Sequence, residues 1–528
     1  MKSSEIREET SDATINIVLD TLKKEKQAIV FVNTKRGAEA LAERIASKIK
    51  EVPGKETLLL ADKAEKTLSS PTKQCRRLGK ILRKSVAFHH SGLHYEQRDI
   101  VETGFRERNV RVICATPTLA AGVDLPAYRV VIRDLKRYSG GWGMQGIPVL
   151  EYEQMAGRAG RPSFDKEGEA VCIANNVGER EEIWEQYVNG LPEDILSKLA
   201  VEPVLRTYVL ALVATGYAGS FKELMGFMKN TFYAHQYKEL SRLKQVLKST
   251  INSLEEWEFI QTNKEAEDDF VSADKIKKDE DFLLKPTKPG ERAAELYPDP
   301  LTANYLLKCM RKAASEKHNA FGLLQMISWT LEMRPLIRSR QKDIPLIDEK
   351  LVLESEKLLA EEPSSFSDEY DEFIDSVKTA LVLEAWIEET TEEQLLEKYG
   401  VTPGEMNAKI ERSDWLLYSC FELSKLQGFR KVSNEILKIR VRVKSGAKEE
   451  LLPLLKLKNV GRVRARKLYT NKIKDLGDVK KASITLLAEL IGKNVALDVK
   501  KQVGQDLSNE KIVVKKNKRK GQVSLGDY

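Results

Sequence analysis

The residues best suited to chemistry lie in Glu153-Gln154-Met155-Ala156-Gly157-Arg158-Ala159-Gly160-Arg161-Pro162. Arg158 and Arg161 stand three residues apart with small residues between them. On a helix that spacing sets both guanidinium groups on one face. Planar, permanently charged groups so presented stabilise charge developing on a transferring phosphoryl group, so both arginines are candidate catalytic residues. Gly157, Ala159 and Gly160 would let another domain approach closely. A glycine-softened surface helix with solvated arginines is the other reading, and the segment alone does not decide between them.

Three further polar segments lie upstream. Ala115-Thr116-Pro117-Thr118-Leu119-Ala120-Ala121-Gly122-Val123-Asp124-Leu125-Pro126-Ala127 leaves a predicted strand, where hydroxyls and backbone amides are well placed to hold phosphates. Phe31-Val32-Asn33-Thr34-Lys35-Arg36 and His89-His90-Ser91-Gly92-Leu93 also follow predicted strands. Four polar motifs on successive strand ends of one sheet are hard to explain by folding needs alone.

The elements that must position these segments are read from hydrophobic patterning. Ala28–Val32, Val86–Phe88, Val110–Ala115, Arg129–Arg133 and Ala170–Ala174 are short apolar runs, and a helical pattern covers Gly37–Lys50. Strands separated by helices predict a parallel sheet covered on both faces, an α/β domain over residues 1–190. Beyond Leu191-Pro192 the pattern turns helical. Val201–Thr215, Phe221–Phe232 and Tyr237–Glu256, followed by short strands at Phe259–Gln261 and Phe282–Leu284, suggest a winged helix over 191–299. Long amphipathic helices predict a bundle over 300–448, and a smaller helical unit covers 449–507. Residues 508–528 form a basic tail without helical or strand patterning.

In this order the four segments resemble motifs IV, IVa, V and VI of superfamily 2 helicases, and the chain resembles the archaeal Hjm/HELQ-type DNA helicase family. The resemblance implies a multidomain protein: a second RecA-like domain, a winged helix, a helical ratchet bundle and a helix-hairpin-helix domain. It implies that Gln154, Arg158 and Arg161 face ATP held on a partner RecA-like domain, Arg161 foremost as arginine finger. Gly122 and Asp124 would lie at the nucleotide cleft, and Asn33 and Thr118 would hold the DNA backbone. The activity implied is ATP-dependent 3′→5′ unwinding of forked or branched DNA in repair and replication restart. ATP and Mg²⁺ are the cofactors, and single-stranded and forked DNA the partner.

The sequence departs from that family in one respect. Walker A and DExH motifs, needed to cradle phosphates and Mg²⁺, are not found in it: Gly54-Lys55-Glu56 and Gly492-Lys493-Asn494 lack the spaced first glycine and the following Ser or Thr. The expectation is a chain lacking the first RecA-like domain, supplied upstream in cis or in trans, and unable to hydrolyse ATP alone. Two other classes stay open: a nucleic-acid-binding adaptor on a RecA-like scaffold, and an RNA helicase of the exosome-associated branch.

Four more features bear on nucleic acid. Arg129–Asp134 and Pro148–Tyr152 flank Tyr138-Ser139-Gly140-Gly141-Trp142-Gly143, which reads as a hairpin with Tyr138 or Trp142 to stack on a base pair, or as a plain surface loop. Trp415 follows Lys409 and Arg412 on a helical pattern, either stacking on a nucleotide or sitting in the core. Leu457–Tyr469 resembles a helix-hairpin-helix, with Gly461 for the tight turn and Arg462, Arg464 and Arg466 splayed to grip backbone; a basic surface helix is the alternative. Gln522, Leu525 and Tyr528 have the spacing of a sliding-clamp peptide.

Composition excludes more than it selects. Of 528 residues 32% are charged and 41% hydrophobic, so the chain is globular. A net charge of +7 permits a polyanionic partner without demanding one. Glu361–Asp375 reads as a solvated acidic loop. Cys75, Cys114, Cys172, Cys309 and Cys420 are far apart in sequence, which predicts reduced thiols in a cytoplasmic protein and no zinc site; His89, His90 and His94 do not alter that. No membrane partner is expected.

Overall fold

The computed structural model describes residues 5–50, 53–68, 70–138, 143–160, 165, 167–199, 201–238, 240–263 and 281–505. They belong to two compact units, Met1–Ile195 with Thr391–Ala408, and Leu196–Thr390 with Lys409–Tyr528.

The first unit is built on strands β1 (Ala28–Phe31), β2 (Val86–His89), β3 (Val112–Ala115) and β4 (Arg129–Ile132), a hairpin β5 (Lys136–Tyr138) and β6 (Met144–Gly146), and β7 (Glu169–Cys172). The sheet order is β2-β3-β1-β4-β7 and every neighbouring pair is parallel. Strands β1 to β4 are buried along their whole length, which is why they appear in the sequence as unbroken apolar runs rather than alternating ones. β7, at the edge, is only partly covered. Helices Ala13–Lys23, Lys35–Lys48 and Tyr95–Arg106 bury Val18, Leu41, Ile45, Val101 and Phe105 in the same core as Phe31, Phe88, Ile113 and Val131. Each such side chain contributes about 1.5–3 kcal/mol on burial. Arg129, 1% exposed, is a buried charge: it pairs with Asp20 at 2.8 Å and Glu169 at 2.6 Å, fastening the helix Ala13–Lys23 to the start of β4.

The strands on either side of the glycine-rich segment do pair, β5 antiparallel to β6 in the register Lys136↔Gly146, Arg137↔Gln145 and Tyr138↔Met144. Its arms are not the runs that patterning suggested. Arg129–Ile132 is a strand of the main sheet, and Pro148–Tyr152 opens the helix Val149–Ala156. That helix starts where it does because the Glu193 carboxylate accepts from the amides of Val149 at 2.7 Å and Leu150 at 3.2 Å.

The first unit also includes Thr391–Ala408, from within the segment patterned as the helical bundle. This stretch holds the helix Glu392–Tyr399 and the first turns of the helix Pro403–Leu426.

The second unit opens with helices Glu202–Ala214, Phe221–Lys229, Phe232–Tyr237 and Ser241–Glu256, then strands β8 (Ile260–Thr262) and β9 (Leu284–Pro286) paired antiparallel. The helix expected over Phe221–Phe232 ends at Lys229, and a short second helix begins at Phe232 after Thr231 in extended conformation. Helices Pro300–Ser315, Ala320–Ser328, Ile344–Glu354, Tyr370–Ile387 and Arg430–Ser445 follow. The acidic stretch expected to be a loop becomes helical at Tyr370, where Asp371 and Glu372 in the first turn complement the helix dipole. Helices Arg462–Thr470, Leu476–Lys481, Ile484–Ile491 and Lys493–Gln502 gather round a separate core of Leu454, Leu468, Leu487 and Val499. Among the described residues no helix is long and apolar enough to cross a membrane, and no group of three or more His, Cys, Asp or Glu side chains is placed to hold a metal.

Candidate functional site

A chain leaving one strand of a parallel sheet must return to the opposite edge before the next strand begins. Thr116–Ala127 makes that return, from the end of β3 to the start of β4. At its first end the Thr116 and Thr118 hydroxyls are 2.9 Å apart and Thr118 is exposed. At its other end the Ala127 amide donates to the Arg158 carbonyl at 2.9 Å, and the Gly160 amide donates back to Ala127 at 2.7 Å. Between them Gly122, at φ +81°, has open space where a Cβ would stand, and the Asp124 side chain is 97% exposed. The candidate residues therefore divide between the two sheet edges, roughly 13 Å apart for four-residue strands.

Two expectations about the arginine segment are corrected. It leaves no strand: it follows the helix Val149–Ala156 and lies against the edge where β4 begins. The helix also ends at Ala156, so Arg158 lies beyond it, before Gly160 at φ +91°, and is not on a helical face. Gln154 is on the helix and exposed. The Arg158 guanidinium turns inward, donating through Nε at 3.0 Å and through Nη2 to the Ala120 carbonyl, with Asp124 Oδ1 4.0 Å from Nη1. It braces the loop from Thr116 to Ala127. Arg161 lies outside the described residues.

At the opposite edge, the Asn33 amide N–H donates to Asp134 at 3.0 Å and its side-chain amide donates to the Lys136 carbonyl. Asn33 thus ties the end of β1 to the hairpin. Trp142 lies outside the described residues, and of Tyr138 only the strand position is described.

The polar motif after β2 has a folding role that patterning missed. His89 Nε2 is 2.9 Å from Glu102, and His90 Nε2 is 3.2 Å from Glu39. Glu39 also accepts from Gln74 at 2.8 Å and pairs with Arg77. Burial pushes its carboxyl pKa up, but the hydrogen bonds from His90 and Gln74 and the Arg77 charge outweigh it and bring it down to about 2. Gly92 receives Gly404, whose amide donates to the Gly92 carbonyl at 3.1 Å, and Lys35 pairs with Glu405 at 2.6 Å. The signal for this contact was present in Thr402-Pro403-Gly404-Glu405, a helix-start pattern in which Glu405 accepts from the Thr402 amide at 3.0 Å. Its partner on another element had no signal.

In the second unit, Trp415 is half-buried and its indole N–H donates to the Leu296 carbonyl at 2.8 Å. Lys409 is buried, with Nζ 2.6 Å from the carbonyls of Met333 and Pro335. The three arginines near Gly461 do splay. Arg462 lies 4.1 Å over the Trp386 ring, Arg466 pairs with Glu389 and Glu450 at 2.6 Å each, and Arg464 is exposed. Gly461 is not the tight-turn residue: its φ is −85°, whereas Asn459 stands at φ +65°. Gly461 instead caps the helix Arg462–Thr470 without any side chain over its first amides. Gln522, Leu525 and Tyr528 lie outside the described residues.

Of the groups that could face a nucleotide polyphosphate here, Gln154 is exposed and Gly122 open, while the Arg158 guanidinium is engaged at the Ala120 carbonyl. These residues do not fit its magnesium: Asp20 and Glu169 at the start of β4 are taken by Arg129, and no metal cluster occurs among the described residues.

The profile described as "Helicase conserved C-terminal domain" matches residues 47–163, which hold strands β2 to β4 and both interlocked loops, so the sheet is that of a helicase C-terminal domain. That described as "Archaeal helicase, domain 4" matches residues 321–446. The chain is 38% identical over 506 residues to the ATP-dependent DNA helicase Hel308 of Pyrococcus horikoshii, covering 95% of this chain and 67% of that protein. It is 37% identical over 505 residues to Hel308 of Methanocella arvoryzae, covering 94% of this chain and 65% of the relative. The chain belongs to the Hel308 family of archaeal helicases, and spans about two thirds of the length of these relatives.

Proposed function

We propose that this chain is the strand-holding portion of an ATP-dependent DNA helicase, acting 3′→5′ on forked or branched DNA in repair and replication restart. The observation that carries the proposal is the division of candidates between two sheet edges, joined by the single loop Thr116–Ala127. On this reading Gln154, Arg158 and Arg161 hold the terminal phosphates of ATP presented by a first RecA-like domain, which also brings the Mg²⁺. ATP supplies the energy of closure; Gly122 lets the loop follow, and Thr118 shifts along the DNA backbone. The hairpin β5–β6 separates strands, and the helices and ribbon over 191–299 act as a winged helix. The bundle with Trp415 keeps the strand from slipping back. The helices beyond Gly461 act as a helix-hairpin-helix that holds DNA backbone through Arg464, and the C-terminal peptide Gln522, Leu525 and Tyr528 docks on a sliding clamp.

The test combines this chain with a first RecA-like domain and follows ATP hydrolysis and displacement of a labelled strand from a fork. DNA-stimulated turnover should need both components and fall at least about 100-fold in Arg161→Ala, the scale of removing a charge-stabilising donor. Full turnover by the chain alone, or an indifferent Arg161→Ala, would overturn the proposal.

A further inference from the structure

In the second unit a basic loop, Arg334–Lys342, lies between the helices Ala320–Ser328 and Ile344–Glu354. Its backbone is fastened at almost every step. Lys409 donates to the Pro335 carbonyl at 2.6 Å and Arg412 to the Arg334 carbonyl. The Ile337 amide donates to Thr379 at 3.0 Å, Lys378 donates to the Arg338 carbonyl at 2.6 Å, and the Ser339 amide donates to Asp375 at 2.6 Å. Lys378 and Lys409 are 2% and 5% exposed. Burying an ammonium group is costly even when it is paired, as Lys378 is with Asp343 at 2.6 Å. Two buried lysines committed to the carbonyls of one surface loop are more than chain connection requires. A loop held this way by a rigid scaffold is the usual setting for a binding residue.

The residue so presented is Arg338. The carboxylates facing the loop are already engaged: Glu372 by Arg334 at 2.6 Å, Asp343 by Lys378 and by Arg340 at 3.2 Å, and Asp375 by the Ser339 amide and hydroxyl. Arg338 is exposed and has no ion pair among the described residues. The helix that supplies Lys409 and Arg412 carries Trp415 less than one turn beyond Arg412. An exposed cation on a backbone held in place is suited to contact the phosphates of single-stranded nucleic acid.

We propose that Arg338 is a phosphate contact for single-stranded DNA, and that Lys378, Lys409 and Arg412 are positioning residues for its loop. This rests on the DNA-binding reading above. The experiment measures binding of the full chain to a fluorescent oligothymidylate by anisotropy at several salt concentrations, with melting curves to show that each variant is folded. Arg338→Ala should bind about five- to tenfold more weakly, with a salt slope shallower by about 0.7, the value for one single-strand phosphate contact. Arg338→Glu should be weaker still, and Lys308→Glu, the same charge change on an exposed lysine of the helix Pro300–Ser315, should lose much less. Wild-type binding with an unchanged Arg338→Ala, or equal losses in both glutamate variants, overturns the inference alone. No binding by the wild-type chain overturns the DNA-binding reading with it.

Discussion

The amide of Gly404 donates to the carbonyl of Gly92 at 3.1 Å, an approach open to Gly404 because it has no side chain. A Cβ on Gly404 would stand 2.3 Å from the Ser91 oxygen and 2.4 Å from the Leu93 oxygen, and backbone there cannot yield cheaply. Gly404→Ala should therefore destabilise the first unit by about 1–3 kcal/mol, the range for overfilled sites. The roughly 1 kcal/mol that alanine adds to helix propensity offsets only part of this. Urea denaturation measures the loss. An unchanged midpoint would mean that Thr391–Ala408 is not seated on the motif after β2.

Glu39 makes the stability of the same unit pH-dependent. Its folded pKa, about 2, lies below the 4.5 of the unfolded chain. The carboxylate therefore contributes stability that is complete above pH 4.5 and is lost as pH falls towards 2. A displacement of this size corresponds to something on the order of 3 kcal/mol. Glu39→Gln should lower stability at pH 7 and flatten the acid limb of the stability profile. If the variant and the wild type keep parallel curves between pH 5 and 2.5, the His90–Glu39–Arg77 network is not what holds the carboxylate ionised.

These two contacts mark where the sequence stops being legible. The buried strands were readable because a parallel sheet writes itself as continuous apolar runs, and β1 to β4 fell within a residue or two of their patterned positions. The hairpin was readable from its glycines but not in its arms, because Arg129–Ile132 carries the apolar signature of a sheet strand and Val149–Ala156 is helical by capping from Glu193. Residues that look catalytic by type were harder. Arg158 has the right chemistry, but its direction depends on a carbonyl at Ala120 that no local pattern announces. Arg462 and Arg466 look like Arg464 in the sequence, and only the neighbouring Trp386, Glu389 and Glu450 distinguish them.

That distinction gives the third prediction. Arg466 spans two carboxylates, with Nε 2.8 Å and Nη2 2.6 Å from Glu389 and Nη1 2.6 Å from Glu450, and its pKa is raised by those bonds against some desolvation. Arg466→Ala should lower the stability of the second unit by about 1–2 kcal/mol, discounted for its partial exposure. Arg464 donates to the Asn459 carbonyl at 2.8 Å and is otherwise open, so Arg464→Ala should stay within about 0.5 kcal/mol of wild type. DNA affinity should separate the two the other way, with Arg464→Ala losing several-fold in binding at unchanged stability. Calorimetry paired with anisotropy reads both. A destabilised Arg464→Ala, or an Arg464→Ala that binds like wild type, contradicts the assignment.

The last prediction concerns the loop that joins the two edges of the sheet. Arg158 directs two nitrogens of one planar fork at the Ala120 carbonyl, and backbone bonds hold Ala127 to Arg158 and Gly160. The loop is thus fixed at Ala120 by a side chain and at Ala127 by main chain, while Ala121, Gly122 and Asp124 between them are exposed. Removing the fork should loosen that middle part without unfolding the sheet, whose core Arg158 does not enter. In Arg158→Ala, hydrogen exchange of the Gly122 and Val123 amides should quicken about tenfold, while protection of β1 and β3 stays as it was. Arg158→Lys keeps the charge but supplies one compact donor in place of a fixed fork, so it should recover only part of the protection. If Arg158→Lys protects the loop as well as arginine does, charge rather than fork geometry holds it. If Arg158→Ala leaves exchange at Gly122 unaltered, the brace at Ala120 does not restrain the loop, and a coupling between nucleotide and DNA edges through Arg158 loses its physical basis.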